Sequence, residues 1–484
     1  MPTRRDLTLT LNTGKSDQAD EPMSEAAPLR FLVLGDFSGQ GTHTDLRSRR
    51  VTFDNFDAVL GSITQAFTSL DQFHPDFLVL AKPDLQQLVQ LRRRLKDVAT
   101  RSAALEELMG LQQRFSAEAA PSQHPGEGEH DLLARLLGRT PATPTAGTSP
   151  VPAPSPALPL PAAAPGGAKA AVDRLVQHAL KTTAQGNPLP DRQADDLAIE
   201  LLTARCQAAL LAPQFRALER AWRSVYWLVT RLESDQGEVH VVDCSKAALT
   251  EHLTTHAKDL DQSPLVRLLC DDPNGWDFVI GDYSFELEAQ DLMLLGNLGA
   301  LAARAGAPFL AHGDLSLAGC TRPDLIESPS EWAIGGGELG ALVDQVRKHP
   351  AAKWIGLAAP RFLLRHPYGK RTDPIESFPF EELPQNPELD RFLWGNPAFA
   401  CAWILGQAQS RGGARWPLRQ LSEVSDLPMP LYKDGSGDAV QLPIEFTLHE
   451  AAQSVVEQHG LIAFAAGQNH NRISTHSVHA LAAL

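Results

Sequence analysis

The stretch "WIGLAAPRFLLRHPYGKRTDPIESFPFEE", Trp354 to Glu382, decides how this chain is read. Its opening run, "WIGLAAP", has the length and apolar content of a buried strand. The run stops at Pro360 and Arg361. Arg365, Pro367, Tyr368 and Gly369 follow at once, and an acidic, aromatic tail closes the stretch. Proline fixes φ and removes an N–H donor, so Pro360 and Pro367 stiffen the chain after the strand. Two readings are open: an active-site loop, or the rigid corner of a structural protein. Arg361 and Arg365 flank an apolar segment. They can pair with Glu381 or Glu382, or run their stems out to solvent. A structural pairing is expected for Arg361.

Outward from this stretch, strands alternate with helices. "EVHVVD" (238–243), "DFVIGDY" (277–283) and "PFLAH" (308–312) read as buried strands, and "LPIEF" (442–446) and "GLIAFAAG" (460–467) as two more. "DLMLLGNLGALAARAG" and "ELGALVDQVRKH" read as helices between them. Upstream, one helix ends at Pro213, and the next repeats Phe215, Leu218, Trp222, Tyr226 and Val229 every three or four residues. Trp222 and Trp394 are expected in the core, because large aromatics bury much area. The alternation predicts an α/β fold, a sheet with helices on its faces.

The first part of the chain is also α/β. "LRFLVLGDFSG" is a strand ending in a Gly-Asp turn, and "VTFDNFDAVLGSI" passes from strand to helix with Asp54 or Asn55 as cap. "PDLQQLVQLRRRLKDV" (83–98) is a helix with Leu85, Leu88, Leu91, Leu95 and Val98 as its apolar stripe. Arg92, Arg93 and Arg94 near its end suit the helix dipole. Residues 141–168 are rich in Pro and Ala, the composition of a semi-rigid spacer. "DLLARLLGR" just before them is either a stray turn or a docking helix. The organisation expected is an extended arm over 1–26, a first module over 27–118, a linker over 119–168 and a second module over 169–484.

The chain has 484 residues and a formal net charge of -15. Such a charge gains nothing from counterion release, which argues against nucleic-acid binding. Five widely spaced cysteines with no C-x-x-C pair suit reduced thiols in a cytoplasm. No signal peptide and no membrane span is expected. Catalytic signatures are equally thin. "GGGELG" (335–340) formally fits G-x-G-x-x-G but follows a poor strand, so a turn into a helix is favoured. No phosphate-binding loop and no G-x-S-x-G elbow occurs. His252 and His256 lack the Glu of a zinc-protease motif. His459, His470, His476 and His479 read as a solvated tail. No cofactor, metal or catalytic residue is assigned, and an α/β hydrolase is kept only as a distant alternative.

Taken in order, the unusual stretches resemble the type VI secretion contractile sheath proteins. "RRDLTLTLNTG", "APLRFLVLGDFSGQ", "RRVTFDNFDAVL" and "FTSLDQFHPDFL" are similar to the small sheath subunit. They carry Leu7, Leu9 and Leu11 in the arm, then Asp36, Phe56, Phe73 and Pro75. "FRALERAWRSVYWLV" (Trp222, Arg223), the block Pro360, Arg361, Arg365, Pro367, Tyr368, Gly369, and "FLWGNPAFACAWIL" (Trp394, Gly395, Asn396) are similar to the large subunit. The resemblance implies a fusion of both subunits and a structural role through assembly. The implied partners are other sheath subunits or copies of the same chain, and inner-tube or baseplate proteins. It also implies strand exchange between protomers, for which an alternating Leu7–Leu11 segment is suited. Large subunits continue beyond the "GLIAFAAG" position and carry an N-terminal segment where an AAA+ ATPase docks. Here Leu484 and the linker stand instead, so a truncated large-subunit module without ATPase docking is expected. The alternative is an accessory that caps, seeds or adapts the sheath. In this setting the Pro360 stretch reads as a fixed corner lying beside "FLWGNPAF".

Overall fold

The computed structural model describes residues 27–41, 44–118, 191–256, 263–322, 325–335, 337–384, 387–433 and 439–482. The arm with Leu7, Leu9 and Leu11, the linker and "DLLARLLGR" lie outside the described residues.

Seven strands form one mixed sheet. They are β1 (Leu29–Gly35), β2 (Thr44–Val51), β3 (Gly237–Cys244), β4 (Phe278–Phe285), β5 (Phe309–Gly313), β6 (Ile355–Ala359) and β12 (Leu461–Ala463). Their order is β12-β6-β5-β4-β1-β3-β2. The α/β class holds. The two segments contribute to the same sheet, because β1 lies between β3 and β4. It runs parallel to both, in register from Leu29↔Gly237 to Gly35↔Asp243 on one side and Phe31↔Phe278 to Leu34↔Gly281 on the other. Only β2 is antiparallel. It forms an edge whose register against β3 shifts between Asp45 and Arg49.

The period of two along β1 sorts its side chains onto two faces. Phe31 and Val33 join one core, Leu32 and Leu34 the other, and all four are fully buried. Burying such a side chain contributes about 1.5–3 kcal/mol. The first face is covered by α1 (Phe56–Thr64), α2 (Pro75–Ala81), α3 (Pro83–Leu95), α4 (Arg101–Glu118), α5 (Asp191–Leu210), α6 (Pro213–Val229) and α11 (Pro397–Ser410). On the other lie α7 (Lys246–Thr255), α8 (Pro264–Cys270), α9 (Ala289–Ala305), α10 (Glu338–Lys348) and α12 (Glu450–Gln458).

An aromatic cluster joins the first segment to α6. Phe73 stacks on Phe67 at 4.5 Å and meets Phe215 at 5.5 Å. Phe56 meets Trp222 and Tyr226 edge-on at 5.6 and 5.1 Å. Pro75 opens α2, where its missing N–H costs nothing. Asp76 beside it accepts from the Glu376 and Ser377 amides at 2.8 and 3.1 Å, clamping the acidic loop of the opening stretch.

Several expectations are corrected. The Arg92–Arg94 run does more than offset a dipole: Arg92 pairs with Asp195 at 2.8 Å and Arg94 with Glu107 at 2.7 Å, tying α3 to α5 and α4. Val98 lies past the end of α3 and is exposed. "LPIEF" contributes a single bridge, Ile444 to Phe362, because its backbone is used to close the corner after β6. The C-terminal tail is solvated only in part: β13 (Ile473–Thr475) pairs with β9 (Ser422–Val424), and Val478, His479 and Leu481 are buried, while His459 is half-buried and His470 and His476 are exposed as expected.

Trp222 bears directly on the joint between the segments. Its Nε1 donates to the Phe37 carbonyl at 2.9 Å and its ring is fully buried. Trp222→Ala is expected to cost about 3–5 kcal/mol in urea unfolding. Trp222→Phe, which loses the hydrogen bond but keeps most of the packing, is expected to cost clearly less.

Candidate functional site

After β6 the chain turns at Pro360, which follows a cis peptide bond, and forms β7 (Phe362–Leu363). This pairs with β8 (Trp394–Gly395), Phe362 with Gly395 and Leu363 with Trp394. The corner therefore lies against "FLWGNPAF", as expected. A Cβ at Gly395 would strike Leu364, which explains the glycine. Trp394 is buried and its Nε1 donates to the Leu389 carbonyl at 2.6 Å. Asn396 caps α11, accepting from the Ala398 amide at 3.0 Å, while its Nδ2 donates to the carbonyls of Gly281 and Tyr283. One side chain thus seats a helix on the end of β4.

The two arginines separate. Arg361 pairs with Glu445, Nη2 to Oε2 at 2.6 Å, and its own amide donates to Glu445 Oε1 at 3.0 Å. The expected partners Glu381 and Glu382 are not used by Arg361, because the chain folds back so that 445 meets 361 across the "LPIEF" bridge. Arg365 does pair with Glu382, at 2.7 Å, and also with Glu219 of α6, at 2.7 Å. Arg223, one turn on from Glu219, donates to it at 2.7 Å and to the Tyr368 hydroxyl at 2.9 Å. The Tyr368 amide donates to Glu382 at 2.8 Å, and the Arg365 guanidinium lies 4.0 Å from the Tyr368 ring centre. Gly369 sits where a Cβ would collide with the Glu381 carboxylate. Pro367 is half-buried at the head of this turn.

Two arginines and two glutamates make a charge-balanced knot with multiple hydrogen bonds at each end, the condition under which buried charge is tolerated. Burial alone raises the Glu219 carboxyl, but Arg365 and Arg223 outweigh it and hold it below the ordinary range. Burial lowers Arg365, yet Glu219 and Glu382 keep it well above its usual value. The Tyr368 hydroxyl is pushed up to about 12 by burial. Glu219, Arg365 and Tyr368 are each shifted away from neutrality, which does not suit proton transfer there.

A second group lies at the carboxyl ends of the central strands. In open α/β sheets, ligands bind where successive connections leave in opposite directions. Here that place is between β1 and β4, and it is filled. Phe37 and Trp222 pack 5.2 Å apart, and Asp243 accepts from the Phe37 and Ser38 amides at 2.8 and 2.9 Å. Asp36 folds its carboxylate onto the Gly41 amide, with burial pushing its pKa up. What remains is a cleft of about 30 Å³ lined by Arg220, Asp282, Ser284, His312, Arg361 and Asn396. That is room for one or two waters, against ~300–1,000 Å³ for a small-molecule pocket. Asp282 is 3.9 Å from Arg220, and burial raises its pKa. His252 and His256 stack at 6.1 Å, and no metal-binding cluster occurs among the described residues. Among these residues no helix is long and apolar enough to cross a membrane.

Sequence reasoning missed Glu219, Glu445, Asp243 and Asp282. Glu219 carried a signal: it falls on the apolar stripe between Phe215 and Trp222, where an unpaired charge is not tolerated.

Removing one partner of the knot strands the others. Arg365→Met is expected to cost about 3–5 kcal/mol in urea unfolding. The stabilisation from Glu219 is present above the ordinary Glu value of 4.5 and is lost as pH falls through its lower folded value. Asp282 works oppositely: its raised folded value means stability is lost as pH rises through it. In unfolding measured across pH, Glu219→Gln should flatten the acid-side loss, and Asp282→Asn should flatten the loss above the ordinary Asp range.

Comparison with known proteins bears on these residues. The model described as "EvpB/VC_A0108, tail sheath N-terminal domain" (VipB) matches residues 197–482. The match holds the knot, the corner and every strand from β3 onward; β1 and β2 lie outside it. The type VI secretion system sheath protein TssC1 of Pseudomonas aeruginosa is 28% identical over 308 residues, covering 60% of this chain and 62% of that protein. The chain thus spans less than two thirds of this relative's length. With more than half of its residues matched, the chain belongs to the VipB family of tail sheath proteins.

Proposed function

We propose that this protein is a structural component of a type VI secretion sheath, acting through assembly with other sheath subunits rather than through catalysis. The family match over residues 197–482 carries the reading. The way the shared stretches are used supports it: they form a buried corner and a charge-balanced knot. On this reading the residues 27–118 take the small subunit's part. In support, β1 and β2 complete a sheet that the matched region alone leaves interrupted between β3 and β4.

Electron microscopy tests the proposal on the full chain, alone and mixed with separate sheath subunits. Tubes containing the protein along their walls are expected. Decoration confined to tube ends would replace this reading with that of a capping accessory. No association with any sheath subunit would remove both.

A further inference from the structure

A groove of about 190 Å³ runs between α11 and β9. Ser422 and Glu423 of β9 line it, with Gln420 and Leu421 from just before the strand. Consecutive residues of a strand, such as Ser422 and Glu423, point to opposite faces. A groove touching both parities therefore follows the strand's edge, not one face. That edge is open: among the described residues β9 pairs with β13 alone. The helix side supplies Trp403 and Ile404, and Leu421 stands 64% exposed beside them. An unpaired edge with an apolar wall is a template for one more strand.

We propose that residues 7–11 of the same chain occupy this groove as a third strand on β9. The segment "DLTLTL" alternates leucine with threonine, so Leu7, Leu9 and Leu11 share one face that suits Trp403, Ile404 and Leu421. Asp6 then brings a carboxylate to the groove that Arg411 lines. The start of the described chain is close by. Gln409 Nε2 donates to the Ala27 carbonyl at 2.6 Å, which holds residue 27 at the last turn of α11, across the helix from the groove. Residues 12–26 span up to about 50 Å when extended. Passing a helix about 10–12 Å across therefore needs no strain. Short tethers give high effective concentrations, so the chain's own segment outcompetes a second copy at ordinary protein concentration. The arm that resemblance assigns to a neighbour thus has a seat on its own chain. This inference does not rest on the sheath reading.

The test uses the full chain carrying Leu9→Cys and Leu421→Cys. Mild oxidation is expected to give a disulfide within one chain, seen by peptide mass mapping and as a monomer on a non-reducing gel. In parallel, amide exchange over residues 420–424 is expected to quicken about tenfold or more in Leu9→Asp and Leu421→Asp. Leu421 is exposed, so its substitution leaves the core intact and guards against misfolding as the cause. A disulfide joining two chains would overturn the proposal in favour of exchange. No disulfide together with unchanged exchange would overturn docking altogether.

Discussion

The two parallel ladders on β1 are the constraint on which the rest of this protein depends. A central strand must have its N–H and C=O groups satisfied on both sides, and β1 finds both partners in the later part of the chain. Without it, β3 and β2 would part from β4, β5, β6 and β12. The aromatic cluster around Trp222 and the Asp76 clamp act on the same joint. They hold the first segment's helices and turns to α6 and the acidic loop, so the sheet and its covering layer are fixed together.

The Glu219–Arg365–Glu382–Arg223 knot does a different kind of work. Taking four charges out of water is costly, and apolar replacements of similar volume are often no less stable. What the knot supplies is position. Each carboxylate accepts from two directions, so the segment from Arg365 to Glu382 has one place on α6 at which all donors are met. Arg361 with Glu445 does the same for the turn just before it.

Much of the sheet was legible. Short apolar runs separated by helical periodicity were read as strands, and six of them, those of β12, β6, β5, β4, β1 and β3, lie side by side in the sheet. The corner after β6 was legible for a local reason, since proline and arginine spacing constrains neighbouring residues. Partners were not. Nothing in "LRFLVLG" says that its neighbours lie beyond residue 236, and nothing near Arg361 points to a glutamate 84 residues away. The tail histidines divide: His470 and His476 are exposed, as composition suggested, while His479 is buried and the alternation around Ile473 carries the rest of the burial. Within the block around the corner, Tyr368, Trp394 and Asn396 are buried while Arg361 and Pro367 are half-buried; the arm lies outside the described residues.

The place of β1 also sets an order of events during synthesis. Phe37, just after β1, meets Asp243 at a separation of 206 residues. The apolar run emerges first and has no strand to pair with until β3 and β4 have been made. Non-local pairing of this kind slows folding and exposes the waiting strand to association. The nascent chain must therefore carry an unpaired hydrophobic strand through much of its translation, a period in which chaperone protection would matter more than final stability.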